Sequence, residues 1–120
     1  YPKNQEEIQS FYDVNYEGTV NICKALEKVG LPKSFIFIST LDVYGLAVGE
    51  CIDETYPKNP KTHYAISKLK AEEFLIDWAK ERGVILGILR PSLMIGPNPP
   101  GNDKGNPERV LCEYFWRSYT

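Results

Sequence analysis

The chain has 120 residues, a formal net charge of −2 and 25% charged residues, which is typical of a folded globular domain rather than a disordered segment. It lacks the basic excess of proteins that bind nucleic acid or membrane surfaces, so we expect a small-molecule partner, no nucleic acid and no membrane. No apolar run approaches the ~20 residues that a membrane-spanning helix needs.

Three cysteines and a single histidine limit the metal and redox chemistry of the chain. Cys23, Cys51 and Cys112 show no Cys-x-x-Cys spacing, and His63 alone does not complete a zinc site, so we predict no metal centre. Reduced thiols in the cytoplasm are the simplest interpretation. We expect Cys23 to be a core residue and His63 to be a surface loop residue rather than a catalytic one.

The first predicted element is a long amphipathic helix from about residue 5 to residue 29, with Gly30 and Pro32 as a stop signal. One face carries a stripe at helical spacing: Ile8, Phe11, Asn15, Thr19, Ile22, Leu26 and Val29. Asn15 is the polar exception in this stripe. A buried amide is costly unless it is hydrogen-bonded, so Asn15 is either a satisfied core amide or a functional residue.

Two short apolar runs, 35–38 and 84–89, are typical of strands buried on both faces of a parallel sheet. The helix predicted between them has Thr62 as its N-cap and ends at Gly83. Its core stripe consists of Ala71, Phe74, Leu75, Trp78 and Ala79. Extended towards the N-terminus, the stripe becomes polar, because it reaches Tyr64, Ser67 and Lys68.

Strand, helix and strand predict a right-handed βαβ unit with parallel strands, and therefore an α/β fold with the order helix–strand–helix–strand. Ligands of open α/β sheets bind beyond the carboxyl ends of the strands. Thr40 follows the first strand and Pro91 with Ser92 follows the second, so we expect them at the same edge. Residues 97–120 are predicted to be a loop followed by a weak terminal helix or disordered end at 108–116.

Tyr64 and Lys68 stand four residues apart on the predicted helix and share one face. The Lys68 charge would favour the Tyr64 phenolate and bring the tyrosine pKa, ordinarily ~10, towards the operating pH. The Thr40 hydroxyl could then orient a substrate oxygen. The same spacing also suits an exposed helix pair, so the surrounding sequence decides whether the two residues are catalytic.

Three motifs in chain order supply that context: Asn-Tyr-Glu-Gly-Thr-Val-Asn at 15–21, Ser-Thr-Leu-Asp-Val-Tyr-Gly at 39–45 and Tyr-Ala-Ile-Ser-Lys at 64–68. By these motifs the chain resembles the extended short-chain dehydrogenase/reductase superfamily, in particular its NAD-dependent epimerase/dehydratase branch. The first looks like the family's Asn-x-x-Gly-Thr-x-Asn helix, the second like its Ser-Ser-x-x-Val-Tyr-Gly strand end, and the third like its Tyr-x-x-Ser-Lys. Further landmarks follow in the right order: Asp53-Glu54, Pro57, Pro60, Leu89-Arg90-Pro91 and Gly96-Pro97.

The resemblance implies that the chain is the central segment of one NAD(P)-binding, Rossmann-like domain with a doubly wound parallel sheet, and that its parent protein is an oxidoreductase of the epimerase/dehydratase type. Tyr64 would then be the acid/base, and Lys68 would lower its pKa and hold the nicotinamide ribose. Thr40 would bind the reacting hydroxyl or carbonyl, and Asn15 would line the site. The cofactor, NAD or NADP, would also contact Ser39 and Pro91.

Several positions depart from the family pattern. Leu93 stands where most sugar-nucleotide enzymes have an asparagine that contacts the substrate diphosphate. Leu41-Asp42 supplies one carboxylate where dehydratases have Asp-Glu after the threonine, so Asp42 is either a substrate ligand or a turn residue. Ser92 belongs to an Arg-Pro-Ser sequence that is similar to reductases of less polar alcohols. The substrate region therefore includes Asp42, Ser92 and Leu93, with a sugar nucleotide or a less polar alcohol as substrate.

The 120 residues contain no Gly-x-x-Gly-x-x-Gly turn, the element that seats the cofactor pyrophosphate in this family. We therefore expect a segment of a longer enzyme, one that binds dinucleotide weakly or not at all by itself. A catalytically idle binding or scaffold protein with the same fold is the alternative. An unpaired sheet edge leads us to expect association with another copy, as a homo-oligomer.

Overall fold

The computed structural model describes residues 4–45 and 52–91, together with the backbone of a strand at Trp116–Tyr119. Helices α1 (Gln5–Phe11) and α2 (Gly18–Val29) are joined by a π-helical segment, Tyr12–Glu17. Strand β1 (Ser34–Ile38) leads into a 3₁₀ helix, Leu41–Tyr44. Helix α3 (His63–Arg82), strand β2 (Ile85–Leu89) and strand β3 (Trp116–Tyr119) complete the described chain.

The first helix runs over the predicted range but is not a regular α-helix. Six residues, Tyr12–Glu17, form π turns, in which the Gly18 amide donates to the Asp13 carbonyl five residues earlier. A π turn takes more residues than an α turn, so the buried face shifts along the sequence. Thr19 and Cys23 are buried in α2, whereas Ile22 and Val29, which were predicted for the stripe, are exposed.

Helix α3 begins and ends where its capping residues predict. The Thr62 hydroxyl accepts a hydrogen bond from the Ala65 amide at 3.1 Å, and Gly83 adopts the left-handed conformation at the C-terminal end. The predicted stripe is confirmed, since Ala71, Leu75, Trp78 and Ala79 are buried and Phe74 packs against them. Leu75, Trp78 and Ala79 form a core with Cys23, Val84, Leu86 and Ile88.

The sheet contains the predicted parallel pair. Strands β1 and β2 run parallel from Ser34 opposite Ile85 to Ile38 opposite Leu89, which confirms the α/β fold class. Strand β3 pairs antiparallel with the other edge of β2, in the order β1-β2-β3. The sequence did not predict this strand, which lies in the range assigned to a loop and a weak terminal helix. Residues 97–115 lie outside the described part of the chain.

Strand β1 is not buried on both faces, contrary to the sequence interpretation. Phe35 and Phe37 point towards the helices, but Ile36 is 56% exposed and Ile38 is 48% exposed. Ile85 on β2 is also exposed. Within residues 4–45 and 52–91 the hydrophobic core lies between the helices and one face of the sheet, which leaves this second face open.

Of the three described glycines with positive φ, Gly45 and Gly83 differ in the space around them. At Gly83 (φ +68°) no atom lies within 4 Å of where a Cβ would stand, whereas at Gly45 (φ +77°) a Cβ would overlap the carbonyl oxygen of Asn59. Gly45 follows the 3₁₀ helix at the point where the Asn59 amide donates to the Val43 carbonyl at 2.9 Å. The chain after β1 is therefore closely packed at Gly45.

We predict that Gly83→Ala lowers the free energy of unfolding by about 1 kcal/mol, the cost of a side chain in the left-handed conformation. Gly45→Ala should cost clearly more, because a steric overlap adds to the same conformational cost. Urea unfolding of the two variants and the parent chain measures the difference. Equal losses would show that Gly45 is not closely packed.

Candidate active site

The carboxyl ends of β1 and β2 remain hydrogen-bonded beyond the strands themselves. The Ser39 amide donates to the Leu89 carbonyl at 2.6 Å, and the Leu41 amide donates to the Pro91 carbonyl at 3.0 Å. Thr40 and Pro91 therefore lie at one edge of the sheet, as the parallel topology predicts.

Thr40 is held at the beginning of the 3₁₀ helix with little solvent exposure. Its hydroxyl oxygen accepts a hydrogen bond from the Asp42 amide at 3.3 Å. This bond uses the oxygen as an acceptor and leaves the O–H proton available as a donor. Thr40 can therefore donate a hydrogen bond to an oxygen atom of a ligand.

Lys68 reaches from α3 to the end of β1. Its ammonium donates to the Ile38 carbonyl at 2.9 Å and lies 4.9 Å from the centroid of the Phe37 ring. Burial lowers the pKa of this ammonium, and the Glu72 carboxylate acts in the opposite direction. The predicted polar turns of α3 thus lie over the strand that leads to Thr40.

Tyr64 lies one turn before Lys68, with its ring edge-on to Phe11 at 5.9 Å between centroids. Burial raises the pKa of the Tyr64 phenol, and the Asp42 carboxylate raises it further. The sequence interpretation expected Lys68 to lower this pKa. The pKa of Tyr64 is instead raised, by burial and by Asp42, and the Lys68 ammonium bonds the Ile38 carbonyl. The phenol is therefore in its neutral, proton-donating form at neutral pH.

Asn15 lies in the π-helical segment and is a satisfied amide. Its Nδ2 donates to the Ser67 hydroxyl at 3.0 Å, and that hydroxyl donates to the Tyr64 carbonyl at 2.7 Å. The Thr19 hydroxyl in turn donates to the Asn15 carbonyl at 2.7 Å. This chain of bonds ties the first helix to the turn of α3 that carries Tyr64.

Ser39 contains the one buried side-chain oxygen or nitrogen without a hydrogen-bond partner among the described residues. The residue is 4% exposed and directly precedes Thr40. A buried hydroxyl without a partner is costly, so a group that needs a polar contact at this edge would be favourable. This hydroxyl fits the predicted nicotinamide cofactor, as does the Lys68 ammonium.

A buried charged network that sequence reasoning did not identify lies behind these residues. Arg90 is 2% exposed and forms two hydrogen bonds to the carboxylate of Glu72, which is fully buried, at 3.0 and 2.8 Å. The guanidinium also donates to the Tyr44 hydroxyl. An arginine directly after a buried strand was a sequence signal for this network, because so buried a cation needs a partner.

The remaining predicted positions have varied outcomes. Cys23 is buried in the core, as expected, and burial raises the pKa of its thiol. His63 is exposed, as expected, but it opens α3 instead of lying in a loop, and it shares a hydrogen bond with the Tyr12 hydroxyl at 3.1 Å. Ser92 and Leu93 lie outside the described residues, as do Cys51 and Cys112.

Among the described residues, no group of three or more His, Cys, Asp and Glu side chains is arranged to hold a metal ion. None of the described helices is long and apolar enough to span a bilayer.

Comparison with known proteins extends these observations beyond the single chain. The profile of the NAD-dependent epimerase/dehydratase family matches residues 1–117. The chain is 42% identical over 94 residues to the N-acetyl-alpha-D-glucosaminyl-diphospho-ditrans,octacis-undecaprenol 4-epimerase of Escherichia coli O157:H7, covering 77% of this chain and 28% of that enzyme. It is 36% identical over 86 residues to the GDP-6-deoxy-D-mannose reductase of Pseudomonas aeruginosa, covering 70% and 28%.

Solved structures give the same picture. The RMD protein of Pseudomonas aeruginosa, complexed with NADPH, superposes with a TM-score of 0.70 at 33% identity, covering 77% of this chain and 32% of that one. The UDP-glucuronic acid 4-epimerase of Bacillus cereus, in complex with NAD, gives 0.65 at 28% identity, covering 74% and 28%. The chain thus spans less than a third of the length of these similar proteins.

We predict that Asp42→Asn lowers the pKa of Tyr64, because it removes the negative charge that disfavours the phenolate. Titration of tyrosine ¹³Cζ resonances by NMR, with Tyr64 assigned from a Tyr64→Phe spectrum, measures the change. Asp77→Asn is the matched control, since it also removes one negative charge, at a position on α3 about 20 Å from Tyr64 along the helix axis. An unchanged Tyr64 pKa in Asp42→Asn would contradict the electrostatic coupling.

Proposed function

This chain belongs to the NAD-dependent epimerase/dehydratase family, and we propose that the protein carrying it is a nicotinamide-dependent oxidoreductase acting on a hydroxyl or carbonyl group of a sugar nucleotide or a related substrate. The observation that carries the proposal is the grouping of a donor hydroxyl, a phenol and an ammonium around the carboxyl end of β1. Thr40 supplies the hydroxyl, Tyr64 the phenol and Lys68 the ammonium.

In this proposal Tyr64 moves the proton and Thr40 orients the reacting oxygen. When a carbonyl is reduced, the neutral Tyr64 phenol donates its proton to the carbonyl oxygen, while the Thr40 O–H holds the same oxygen in place. In the reverse direction the Tyr64 phenolate takes the proton of the substrate hydroxyl as the carbon is oxidised. The raised pKa of Tyr64 suits the first direction.

Oxidation requires a phenolate at neutral pH, and Lys68 is the residue that can stabilise it. Its ammonium lies one turn from Tyr64 on the same helix, bonded to the Ile38 carbonyl. A rotation of this flexible side chain towards the phenol would place a positive charge where the phenolate forms. We propose that substrate and cofactor binding favours that rotamer.

The residues that would hold the cofactor are the Ser39 hydroxyl, the Lys68 ammonium and the backbone at Pro91. The unpartnered Ser39 oxygen supports this assignment. When bound, the nicotinamide ring supplies the hydride acceptor or donor. Similar proteins have been solved with NADPH and with NAD, so both cofactors remain candidates.

The similar enzymes and the departures in this chain support two candidates for the substrate class. Two of the similar proteins are 4-epimerases, of a glycosyl-diphospho-undecaprenol and of UDP-glucuronic acid, and another is a GDP-6-deoxy-D-mannose reductase. These names favour a diphosphate-linked sugar. Leu93, in place of an asparagine, favours a second candidate, an NADP-dependent ketoreductase of a less polar alcohol.

We predict that Tyr64→Phe in the complete protein lowers kcat by about 10² to 10⁴-fold, because it removes the proton donor and acceptor while keeping the ring contact with Phe11. Tyr12→Phe is the matched control: it removes a phenol that bonds His63 on the surface. The assay follows turnover of UDP-glucose, GDP-linked deoxysugars and apolar ketones.

The same assay distinguishes the reaction types. An epimerase leaves the NAD(P)H concentration unchanged over many turnovers, whereas a reductase consumes one equivalent per turnover. A scaffold protein without catalysis would show no turnover with any substrate, and Tyr64→Phe would leave its partner binding intact. That outcome would reject the enzymatic proposal.

We predict further that the 120-residue chain by itself binds NADH and NADPH weakly or not at all, because it contains no glycine-rich turn for the pyrophosphate. Titration with either dinucleotide, followed by cofactor fluorescence, checks this. Saturation in the micromolar range would show that the residues around Ser39 and Lys68 are sufficient for binding.

A further inference from the structure

The buried network behind the active site joins three elements that each carry a proposed functional residue. Glu72 lies on α3 one turn after Lys68, Tyr44 ends the 3₁₀ helix that Thr40 begins, and Arg90 directly follows β2. All three side chains have 3% of their surface exposed or less. The network therefore lies beneath the proposed active site and does not border solvent.

Stability alone is a weak explanation for such a network. Removing two or more polar groups from water carries a desolvation penalty, and well-packed apolar side chains of similar volume often stabilise a protein as well or better. Buried ionic groups that bring separate elements into one arrangement can instead contribute conformational specificity. A role in positioning the groups next to it would explain the network better than stability does.

Lys68 and Glu72 stand four residues apart on α3. A lysine and a glutamate four residues apart on a helix are neighbours and readily form an ion pair. Here Arg90 engages both carboxylate oxygens of Glu72, at 3.0 and 2.8 Å. The Lys68 ammonium bonds the Ile38 carbonyl instead. The ammonium is thus held at the end of β1, two residues before Thr40, while Arg90 engages the Glu72 carboxylate.

Arg90 also contacts the segment that carries Thr40, through Tyr44 at the end of the 3₁₀ helix. The Arg90 guanidinium donates to the Tyr44 hydroxyl and lies 5.1 Å from the centroid of the Tyr44 ring. Tyr56 makes a T-shaped contact with the Tyr44 ring, with 6.1 Å between the ring centroids. Because the 3₁₀ helix has only four residues, fixing Tyr44 also fixes its first turn and the backbone of Thr40.

We propose that Arg90, Glu72 and Tyr44 form a positioning network for the active site, in which Arg90 keeps the Glu72 carboxylate from capturing the Lys68 ammonium and, through Tyr44, fixes the segment that carries Thr40. None of the three touches the reacting atoms. They act through Lys68 and Thr40, so this inference rests on the proposed function for its catalytic meaning.

The test uses substitutions whose effects on Lys68 have opposite signs. Arg90→Met releases the Glu72 carboxylate towards Lys68 and should raise the pKa of Lys68. Glu72→Gln removes the negative charge and should lower that pKa, since Glu72 is the group that raises it. Lysine ¹³Cε titration by NMR on the chain, with Lys68 assigned from a Lys68→Met spectrum, measures both shifts without any need for turnover.

Two further variants complete the test: one for the case that Arg90→Met does not fold, and one as a control. The double variant Arg90→Met/Glu72→Met leaves no unpaired buried charge and should lower the Lys68 pKa as Glu72→Gln does. Arg82→Met is the matched control. It removes an arginine that pairs with Glu27 at 2.5 Å at the far end of α3, and it should leave the Lys68 pKa unchanged.

Tyr44→Phe, made in the complete protein, tests whether the Arg90–Tyr44 hydrogen bond positions Thr40. It keeps the ring contact with Tyr56 and removes only the hydroxyl that Arg90 binds. We expect kcat to fall about tenfold with little change in KM, because a small displacement of Thr40 affects the transition state most. The Lys68 pKa should stay that of the unsubstituted chain.

The outcomes separate this proposal from the proposed function. Opposite shifts of the Lys68 pKa in Arg90→Met and Glu72→Gln, or the downward shift in the double variant if Arg90→Met does not fold, support the positioning role. An unchanged Lys68 pKa in the folded variants, or an unchanged kcat in Tyr44→Phe, overturns it. Absence of turnover in the unsubstituted complete protein rejects the proposed function, while the Lys68 shifts still decide the network.

Discussion

The parallel pairing of β1 with β2 is the constraint on which the rest of the molecule depends. Its register continues past both strands through the Ser39–Leu89 and Leu41–Pro91 hydrogen bonds, so the two carboxyl ends cannot move independently. Every residue proposed for function is placed relative to this edge. Thr40 and Ser39 belong to it, Lys68 bonds to its Ile38 carbonyl, and Arg90 leaves it to reach Glu72.

The hydrogen bonds between elements follow a consistent pattern around that edge. Asn15 reaches α3 through Ser67, Lys68 reaches β1, and Arg90 reaches both α3 and the 3₁₀ helix. The hydrophobic core lies further towards the other end of the helices, around Leu75, Trp78 and Ala79. The molecule thus separates an apolar region that holds the layers together from a polar region that sets the positions of functional groups.

Much of this arrangement could be predicted from sequence because local signals determine it. Thr62 and Gly83 cap α3 as expected, and two short apolar runs gave the parallel strands. These features depend on residue type and spacing alone. The motif order supplied the family, which the match over residues 1–117 confirms, although the roles of the individual site residues stay predictions.

The features that sequence reasoning missed depend on tertiary contacts. No residue pattern in 12–17 predicts a π-helix. The predicted stripe included Ile22 because it assumed regular α-helical spacing throughout. The open face of β1 depends on which layers surround the sheet, and an apolar run does not reveal that. The direction of the Tyr64 pKa shift depends on burial and on Asp42, whereas the spacing to Lys68 suggested the opposite.

The π-helical segment has a consequence for how this chain tolerates changes in length. A π turn holds more residues than the α turn it replaces, so residues 12–17 contain more chain than a regular helix would need there. Deleting one residue from this segment converts π turns to α turns and leaves α2 in phase, so Thr19 and Cys23 stay in the core. An inserted residue would instead turn α2 by about 100° about its axis and take these two residues out of the core. The segment should therefore tolerate a single-residue deletion better than a single-residue insertion.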